Sequence, residues 1–144
     1  MGSYSSFWVY RSCIWVFTLS NTKILREKVP RKKRAGSNAA ASLSEIPATL
    51  IGKFAVDRSL HGGSISDLLM LWAQRKACEA AEHVGSSYLV VELRGEAESI
   101  AFLRQYYIDR FKFFPLNRGE PLRLQALAKR LEDVRSELDL IGDL

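Results

Sequence analysis

Cysteine is scarce in this chain, and long hydrophobic runs are missing. Two cysteines, Cys13 and Cys78, are too few for a disulfide framework or a metal-binding set, so we expect no metal and a reducing, cytoplasmic environment. Apolar runs such as Cys13–Phe17 are far shorter than the ~20 residues that a membrane helix needs. Arg11 interrupts the stretch 7–17 and no small-residue cleavage site follows it, which argues against a signal peptide. These absences predict a chain that does not associate with a membrane.

What remains is the composition of one folded domain. The chain has 144 residues, 47% hydrophobic and 26% charged, which is enough for a core and close to the usual length of one domain. Its net charge of +5 is uneven, because residues 1–36 hold eight Lys and Arg against one acid, a net +7, while residues 37–144 are slightly acidic. A concentrated basic segment is typical either of a solvated loop or of a surface that binds a polyanion.

Aromatic and β-branched residues dominate the start of the chain. Residues 7–20 predict one strand or a hairpin of two. Residues 21–29 fit either a strand end or a short helix, and the charged stretch 30–44, with its Gly and Ser, predicts a surface loop. Residues 49–56 predict a second strand. The first third of the chain therefore predicts strands joined by a basic loop.

A glycine-containing turn and an amphipathic helix follow the second strand. Apolar residues recur at helical spacing from Ile65, Ser64 or Ser66 is a suitable N-cap, and Gly85 is a suitable helix stop. The compact apolar stretch 87–93 predicts a buried strand. Strand, turn, helix and strand in this order form a βαβ-like unit, and the sequence alone leaves the relative direction of the two strands open.

The last third of the chain mixes helical and strand signals. Residues 96–107 predict a helix, and three phenylalanines between positions 111 and 114 predict a strand after it. From Pro121 to Leu140, leucines and a valine recur at helical spacing.

The turn before the central helix has the features of an anion-binding site. Gly62 and Gly63 permit close approach of the backbone to a phosphate, and the N–H groups and dipole at the start of a helix favour negative charge. The turn is not a P-loop, because no Gly-Lys-Ser/Thr follows, and it lacks the dinucleotide fingerprint. The pattern is weak by itself, because most glycine turns between a strand and a helix are only turns.

The residues around this turn make the pattern more specific. FAVD (54–57) ends the strand, HGGSIS (61–66) fills the turn, and Leu68-Leu69 follows in the helix. The stretch 51–69 thereby resembles the acetyl-CoA-binding core of the GNAT N-acetyltransferase superfamily. The likeness continues into YYIDRF (106–111), and upstream the sequence WVFTLSNTKILREKVPRK resembles the toxin-type branch of that superfamily. Roughly residues 14–125 follow the family pattern.

The resemblance implies an α+β fold, a GNAT-like three-layer α/β/α sandwich around a mixed, partly antiparallel sheet. The family's usual N-terminal strand and helices have no counterpart before the first matching segment. We expect a single GNAT-like domain over residues 1–144, with a basic strand-loop segment at 1–48, an acetyl-CoA-binding core at 49–93 and a C-terminal part at 94–144. The family places an edge strand near 122–127, where the spacing favours a helix, so this stretch stays open between the two.

The resemblance also implies an activity, the transfer of an acetyl group from acetyl-CoA to a primary amine. Tyr107, or Tyr106 as second choice, is the candidate general acid for the leaving thiolate, because a phenol with a pKa of about 10 suits an alkyl thiol. The alternative for these tyrosines is an aromatic pair that packs the helix on the sheet. The residues expected to bind the coenzyme are Phe54, Ala55 and Val56 for the pantetheine arm and His61, Gly62, Gly63, Ser64, Ile65 and Ser66 for the pyrophosphate.

Two features depart from the family pattern. Ser64 and Ser66 stand where the family has glycine or alanine, which adds a Cβ at a close backbone approach, and His61 replaces the usual Gln or Arg. The stretch 94–98 lies in an insertion that shifts or lengthens the helix carrying Tyr107. These departures leave a second hypothesis open, an inactive or truncated GNAT-fold protein that acts as a binding module.

The basic segment supplies a candidate acceptor surface. In toxin-type GNAT proteins the acceptor is the aminoacyl group of a tRNA, and cationic side chains suit its phosphates. The resemblance also implies an antitoxin partner, and exposed apolar strands favour a homodimer. A third hypothesis is a small RNA-binding module that depends on residues 23–34. The residues expected to contact tRNA are Lys28, Arg31, Lys32, Lys33 and Arg34.

Overall fold

A mixed β-sheet with three helices packed against it forms the body of the protein. The computed structural model describes residues 15–34, 44–57, 59, 64–116 and 124–142. In chain order the elements are β1 (Trp15–Leu25), two short 3₁₀ helices (Arg26–Lys28 and Arg31–Lys33), β2 (Glu45–Val56), α1 (Ile65–Val84), β3 (Tyr88–Arg94), α2 (Ala97–Phe111), β4 (Phe114–Pro115), β5 (Leu124–Arg130) and α3 (Leu131–Ile141).

The five strands lie in the order β1-β2-β3-β5-β4. β2 and β3 are parallel and α1 connects them, whereas the other neighbouring pairs are antiparallel. The predicted βαβ unit is therefore confirmed, and the strand direction that the sequence left open is parallel. The α+β class and the mixed sheet are confirmed as well.

The sheet has an apolar core on each face. On β3, Leu89, Val91 and Leu93 join the core that all three helices cover, while Tyr88 and Val90 belong to a second cluster on the other face. The second cluster is completed by residues that lie outside the helices, namely Ile24, Val29, Ile46, Ala48, Phe114, Leu116, Ala126 and Ala128. Within the described residues, the helical layer thus covers one face of the sheet.

The start and stop signals that the sequence predicts for α1 are confirmed. Ser64 precedes the first turn, and Gly85 ends the helix in the left-handed conformation, with φ of 71°. Glycine adopts this conformation without steric cost, which explains the stop. For residues 21–29 both alternatives hold, because β1 runs to Leu25 and a 3₁₀ helix follows at Arg26–Lys28.

The C-terminal third contains a strand and then a helix, where the sequence left the two alternatives open. Residues 124–130 form β5, and the helix begins only at Leu131. β5 lies between β3 and β4, not at the edge, and its residues Ala126 to Ala128 are buried. Leu124 and Leu127 of β5 continue the spacing of Leu131 and Val134 in α3, so the periodicity alone does not separate the strand from the helix that follows it. α2 likewise runs on to Phe111, which leaves only a two-residue strand at Phe114–Pro115.

Part of the predicted organisation lies outside the described residues. This applies to residues 1–14, 35–43, 58, 60–63, 117–123 and 143–144. The start of the strand predicted at 7–20, most of the loop at 30–44 and the two glycines of the turn fall there. No helix in the part of the chain that the structure describes is long and apolar enough to cross a membrane.

β2 contains a bulge at the point where it leaves β3. The register with β1 shifts there, so that Gly52 and Lys53 together oppose the single residue Thr18. The Lys53 N–H donates to the Thr18 hydroxyl at 2.9 Å. A bulge bends the strand that carries the extra residue and increases its twist. The pairing of β2 with β3 ends at Ile51, immediately before this bulge.

The bulge predicts a strict requirement for glycine at position 52. A Cβ there would lie 2.9 Å from Thr18 Oγ1, the atom that accepts the Lys53 N–H. We expect Gly52→Ala to lower the free energy of unfolding by about 1–3 kcal/mol, because either the strand shifts or this hydrogen bond is lost. Urea denaturation measures the change.

Lys53→Ala is the matched control, because its side chain is exposed and its backbone donor is retained. Adding Thr18→Ala to Gly52→Ala removes the clashing atom, so the two changes are expected to be non-additive. A Gly52→Ala protein as stable as the wild type contradicts the bulge.

Candidate functional site

A cleft opens between the parallel strands β2 and β3. Their pairing runs only from Ala48–Tyr88 to Ile51–Val91, although β2 continues to Val56. Within the described residues, the edge of β2 that faces β3 therefore has no strand partner beyond Ile51. Backbone N–H and C=O groups on such an edge can pair with an extended ligand, as a strand does when it adds to a sheet.

Three residues predicted to bind the pantetheine arm lie on this free edge of β2. Phe54 is half-buried and packs against the core under the helices, whereas Ala55 is exposed. Val56 is the last residue of β2, and its opposite edge is occupied by Trp15 of β1. The structure thus places the three residues together on the part of β2 that pairs with β1 but has no described strand partner on its β3 side.

The start of α1 follows the end of β2. Ser64 occupies the capping position, but its side chain makes no capping hydrogen bond. The first N–H groups of a helix have no partner within the helix, so the amides of Ile65 and Ser66 can donate to an anion. Ser64 is exposed, and Ile65 and Ser66 are half-buried. The rest of the predicted phosphate-binding turn lies outside the described residues: His61, Gly62 and Gly63.

Tyr107 lies in an aromatic cluster on α2. It is only 6% exposed, and its ring packs edge-on against those of Tyr106 and Phe113, with 5.6 Å between centroids in both pairs. Among the described residues, no group forms a hydrogen bond with its hydroxyl. Burial raises the pKa of Tyr107 to about 12, so the phenol stays protonated at neutral pH.

Tyr106 reaches the start of α1. Its hydroxyl donates to Asp67 Oδ1 at 2.5 Å, and Arg110 forms an ion pair with the same carboxylate. Burial, with the hydrogen bond to Asp67 and its charge, raises the pKa of Tyr106 to about 12, against an opposing hydrogen bond with Ser66. Nothing in the local sequence pattern indicates this contact, because it joins residues from two different helices.

The predicted tRNA-contacting residues lie at the other end of the sheet. Tyr88, at the start of β3, donates to the Lys33 carbonyl at 3.0 Å, and the Lys33 ammonium lies over the Phe114 ring. Ala48 pairs with Tyr88, and an extended strand spans roughly 25 Å from Ala48 to Val56. The structure therefore separates this basic segment from the start of α1. Arg31, Lys32 and Lys33 are exposed, and Lys28 and Arg34 are half-buried.

The comparison with solved structures identifies the class of fold. The chain is similar to a tyrosine-to-phenylalanine mutant of KacT, with a TM-score of 0.67 and 22% identity over 87% of this chain and 66% of that chain. The prediction of a GNAT-like fold is thereby confirmed.

Two further neighbours are structures of AtaT. AtaT complexed with acetyl-methionyl-tRNAfMet matches with a TM-score of 0.64 and 25% identity over 86% of this chain and 66% of that chain. A tyrosine-to-phenylalanine mutant of the AtaT toxin, bound to the C-terminus of the antitoxin AtaR and acetyl-CoA, matches with a TM-score of 0.61 and 25% identity. The match covers 88% of this chain and 65% of that chain. Neither a protein-family model nor a curated protein matches the chain. The chain spans about two thirds of the length of these neighbours.

The raised pKa values of Tyr106 and Tyr107 predict how stability depends on pH. Both phenols have a pKa of about 12 in the folded chain, against about 10 when unfolded. Between these values the unfolded chain binds fewer protons than the folded one, so stability falls as the pH rises from about 10 to 12. Denaturation across this range measures the loss.

The tyrosinate absorbance of the folded protein provides the direct check. We expect Tyr106 and Tyr107 to ionise well above pH 10, and Tyr106→Phe and Tyr107→Phe each to remove one late-ionising phenol. Ionisation of all tyrosines in one step near pH 10 contradicts the burial of this cluster.

Proposed function

We propose that this protein is an N-acetyltransferase that moves the acetyl group of acetyl-CoA to a primary amine. The observation that carries the proposal is the cleft between β2 and β3, which leads to the uncapped start of α1. A strand edge suits the amides of a pantetheine arm, and a helix start suits a pyrophosphate. The AtaT neighbour bound to acetyl-CoA supports the same donor.

The residues present fit such a donor in two places. The backbone from Gly52 to Val56 would pair with the pantetheine amides, in place of the strand partner that β3 provides up to Ile51. The amides of Ser64, Ile65 and Ser66, with His61, Gly62 and Gly63, would hold the pyrophosphate. When bound, acetyl-CoA supplies a thioester carbonyl that an amine attacks, with the thiol as leaving group.

Tyr107 is the proposed general acid. A phenol held within hydrogen-bond reach of the sulfur can return a proton to the thiolate. Its burial raises the pKa of Tyr107 to about 12, and the same apolar surroundings also raise the pKa of a thiol that leaves there. The proton can therefore pass between two groups that are both disfavoured as anions.

The proposed acceptor is the aminoacyl group of a tRNA. The basic segment contacts the start of β3, and β2 extends roughly 25 Å from there to Val56, a separation that a tRNA spans and a small amine does not. AtaT complexed with acetyl-methionyl-tRNAfMet supports this acceptor class. By the same reasoning we propose a cytoplasmic toxin that an antitoxin partner controls, since AtaT is solved with the C-terminus of AtaR.

Acetyl-CoA titration calorimetry with a transfer assay tests the proposed activity. We expect saturable binding, and we expect Tyr107→Phe to retain the binding affinity while the turnover number falls about 10²- to 10⁴-fold, because only the proton donor is lost. The matched change is conservative, since Phe keeps the buried ring. No binding at millimolar acetyl-CoA overturns the proposal.

Two other outcomes assign other functions. Binding without transfer to aminoacyl-tRNA or to a panel of amines assigns a binding module, the second hypothesis that the sequence left open. Full activity of Tyr107→Phe rejects Tyr107 as the general acid. Tyr106 and Tyr107 then serve to pack the helix on the sheet, the alternative that the sequence left open.

Charge removal at the basic segment tests the acceptor. Arg31→Gln with Lys32→Gln removes two exposed cations, so we expect weaker tRNA binding. We also expect the slope of the log of the binding constant against the log of the salt concentration to become less steep by about 1 to 2. Arg135→Gln is the control, because this exposed cation lies on α3, over the other face of the sheet. Equal effects of the two changes contradict a specific tRNA surface at 28–34.

A further inference from the structure

Asp67 connects the two helices of the candidate site. It lies in the first turn of α1, and its carboxylate accepts hydrogen bonds from the Tyr106 hydroxyl, at 2.5 Å, and from the Arg110 guanidinium, both of α2. Tyr106 and Arg110 are one helical turn apart, so they project from the same face of α2. The Asp67 side chain is only 22% exposed, which shields both contacts partly from water. Two bonds to one carboxylate fix the distance and the rotation of α2 against the start of α1.

The residue after Tyr106 on α2 is Tyr107. The Tyr106 ring packs edge-on against Tyr107, with 72° between the planes, and against Phe111, with centroids 5.5 Å apart. Close-packed side chains transmit displacements, so movement of Tyr106 moves Tyr107 with it. Proton donation depends on hydrogen-bond reach, and a misplacement of about 1 Å can cost about 10²-fold in rate.

Besides fixing α2 against α1, the Arg110 cation neutralises the Asp67 carboxylate at the start of α1. The partial positive charge of the helix start favours both Asp67 and a bound phosphate. An uncompensated carboxylate in the same turn repels a pyrophosphate, and the Arg110 cation offsets that repulsion. Among the described residues, the polar groups in contact with the Asp67 carboxylate are Tyr106 and Arg110, and Ser66 touches the Tyr106 hydroxyl.

We propose that Asp67, Tyr106 and Arg110 form a latch that holds Tyr107 in place for proton transfer and keeps the start of α1 receptive to the coenzyme pyrophosphate. The latch rests on the proposed acetyl transfer and adds three positioning residues to it. Tyr106 acts through Tyr107 and does not contact the reacting atoms.

Four variants separate the hydrogen bond from the charge. Asp67→Ala removes both contacts, Asp67→Asn keeps an oxygen for the Tyr106 hydroxyl, and Tyr106→Phe and Arg110→Gln each remove one partner. Asp109→Asn is the matched control, because the Asp109 carboxylate accepts a hydrogen bond from Gln105 of the same helix and has no other partner among the residues that the structure describes. Thermal unfolding confirms that each variant is folded, and Asp67→Asn serves if Asp67→Ala is not.

Steady-state kinetics give the first readout. For Asp67→Ala and Tyr106→Phe we expect kcat to fall about tenfold or more, with the KM for acetyl-CoA within about threefold in Tyr106→Phe. Asp67→Asn is expected to recover most of kcat. Arg110→Gln is expected to weaken coenzyme A binding about tenfold, and the double variant Asp67→Asn/Arg110→Gln to restore it, because the uncompensated charge is gone. A kcat in Tyr106→Phe and Asp67→Ala equal to that of the control overturns the latch.

Carbon-13 NMR of tyrosine-labelled protein gives a readout that needs no turnover. We expect the pKa of Tyr107 to move from about 12 towards 10 in Asp67→Ala, as α2 loosens and the ring gains water, and to stay in place in Asp67→Asn. A wild-type chain without transfer activity overturns the proposed function, and the Tyr107 titration still decides the latch. If the Tyr107 titration curve is the same in Asp67→Ala and in wild type, the latch is overturned.

Discussion

The bulge in β2 is the constraint on which the rest of the site depends. Gly52 and Lys53 occupy the space opposite one residue of β1, and the Thr18 hydroxyl satisfies the extra N–H. A regular strand would continue its pairing with β3 and close the sheet. Because β2 bends after Ile51, two parallel strands share only the first part of their length. The opened edge is where we propose that the coenzyme binds.

α1 and α2 add the two other parts of the candidate site, a helix start and a tyrosine. α1 places uncapped amides after the end of β2, and α2 places a buried phenol in the same core. Each helix covers the same face of the sheet, so a single carboxylate in the first turn of α1 can hold both in register. The basic segment packs on the other face, beside Tyr88 and Phe114. The proposed donor and acceptor surfaces therefore lie on different faces of one small sheet.

The sequence was informative wherever a local signal decides the structure. β2, α1 and β3 follow from β-branched residues, helical spacing and a glycine stop at Gly85, and these signals act within a few residues. The acetyl-CoA resemblance of residues 51–69 falls on this well-determined part of the chain. The same stretch contains the β2 residues and the helix start that form the candidate site.

The remaining features depend on partners far away in the sequence. The leucine spacing that continues from β5 into α3 fits a helix face equally well, and only the place of β5 between β3 and β4 makes it a strand. The bulge needs Thr18 from another strand, and the latch needs contacts between α1 and α2, so neither has a local pattern. Tyr107 was selected by resemblance, and its burial with no hydrogen-bond partner among the described residues is information that only the fold supplies.

Amide NMR mapping of acetyl-CoA tests most directly whether the cleft opened by the bulge holds the coenzyme. We expect shifts and exchange protection to concentrate at Gly52 to Val56 and at Ser64 to Asp67, the two stretches proposed to bind the coenzyme. Perturbations confined to the basic segment at 28–34, or spread over the far edge at β4, would contradict it.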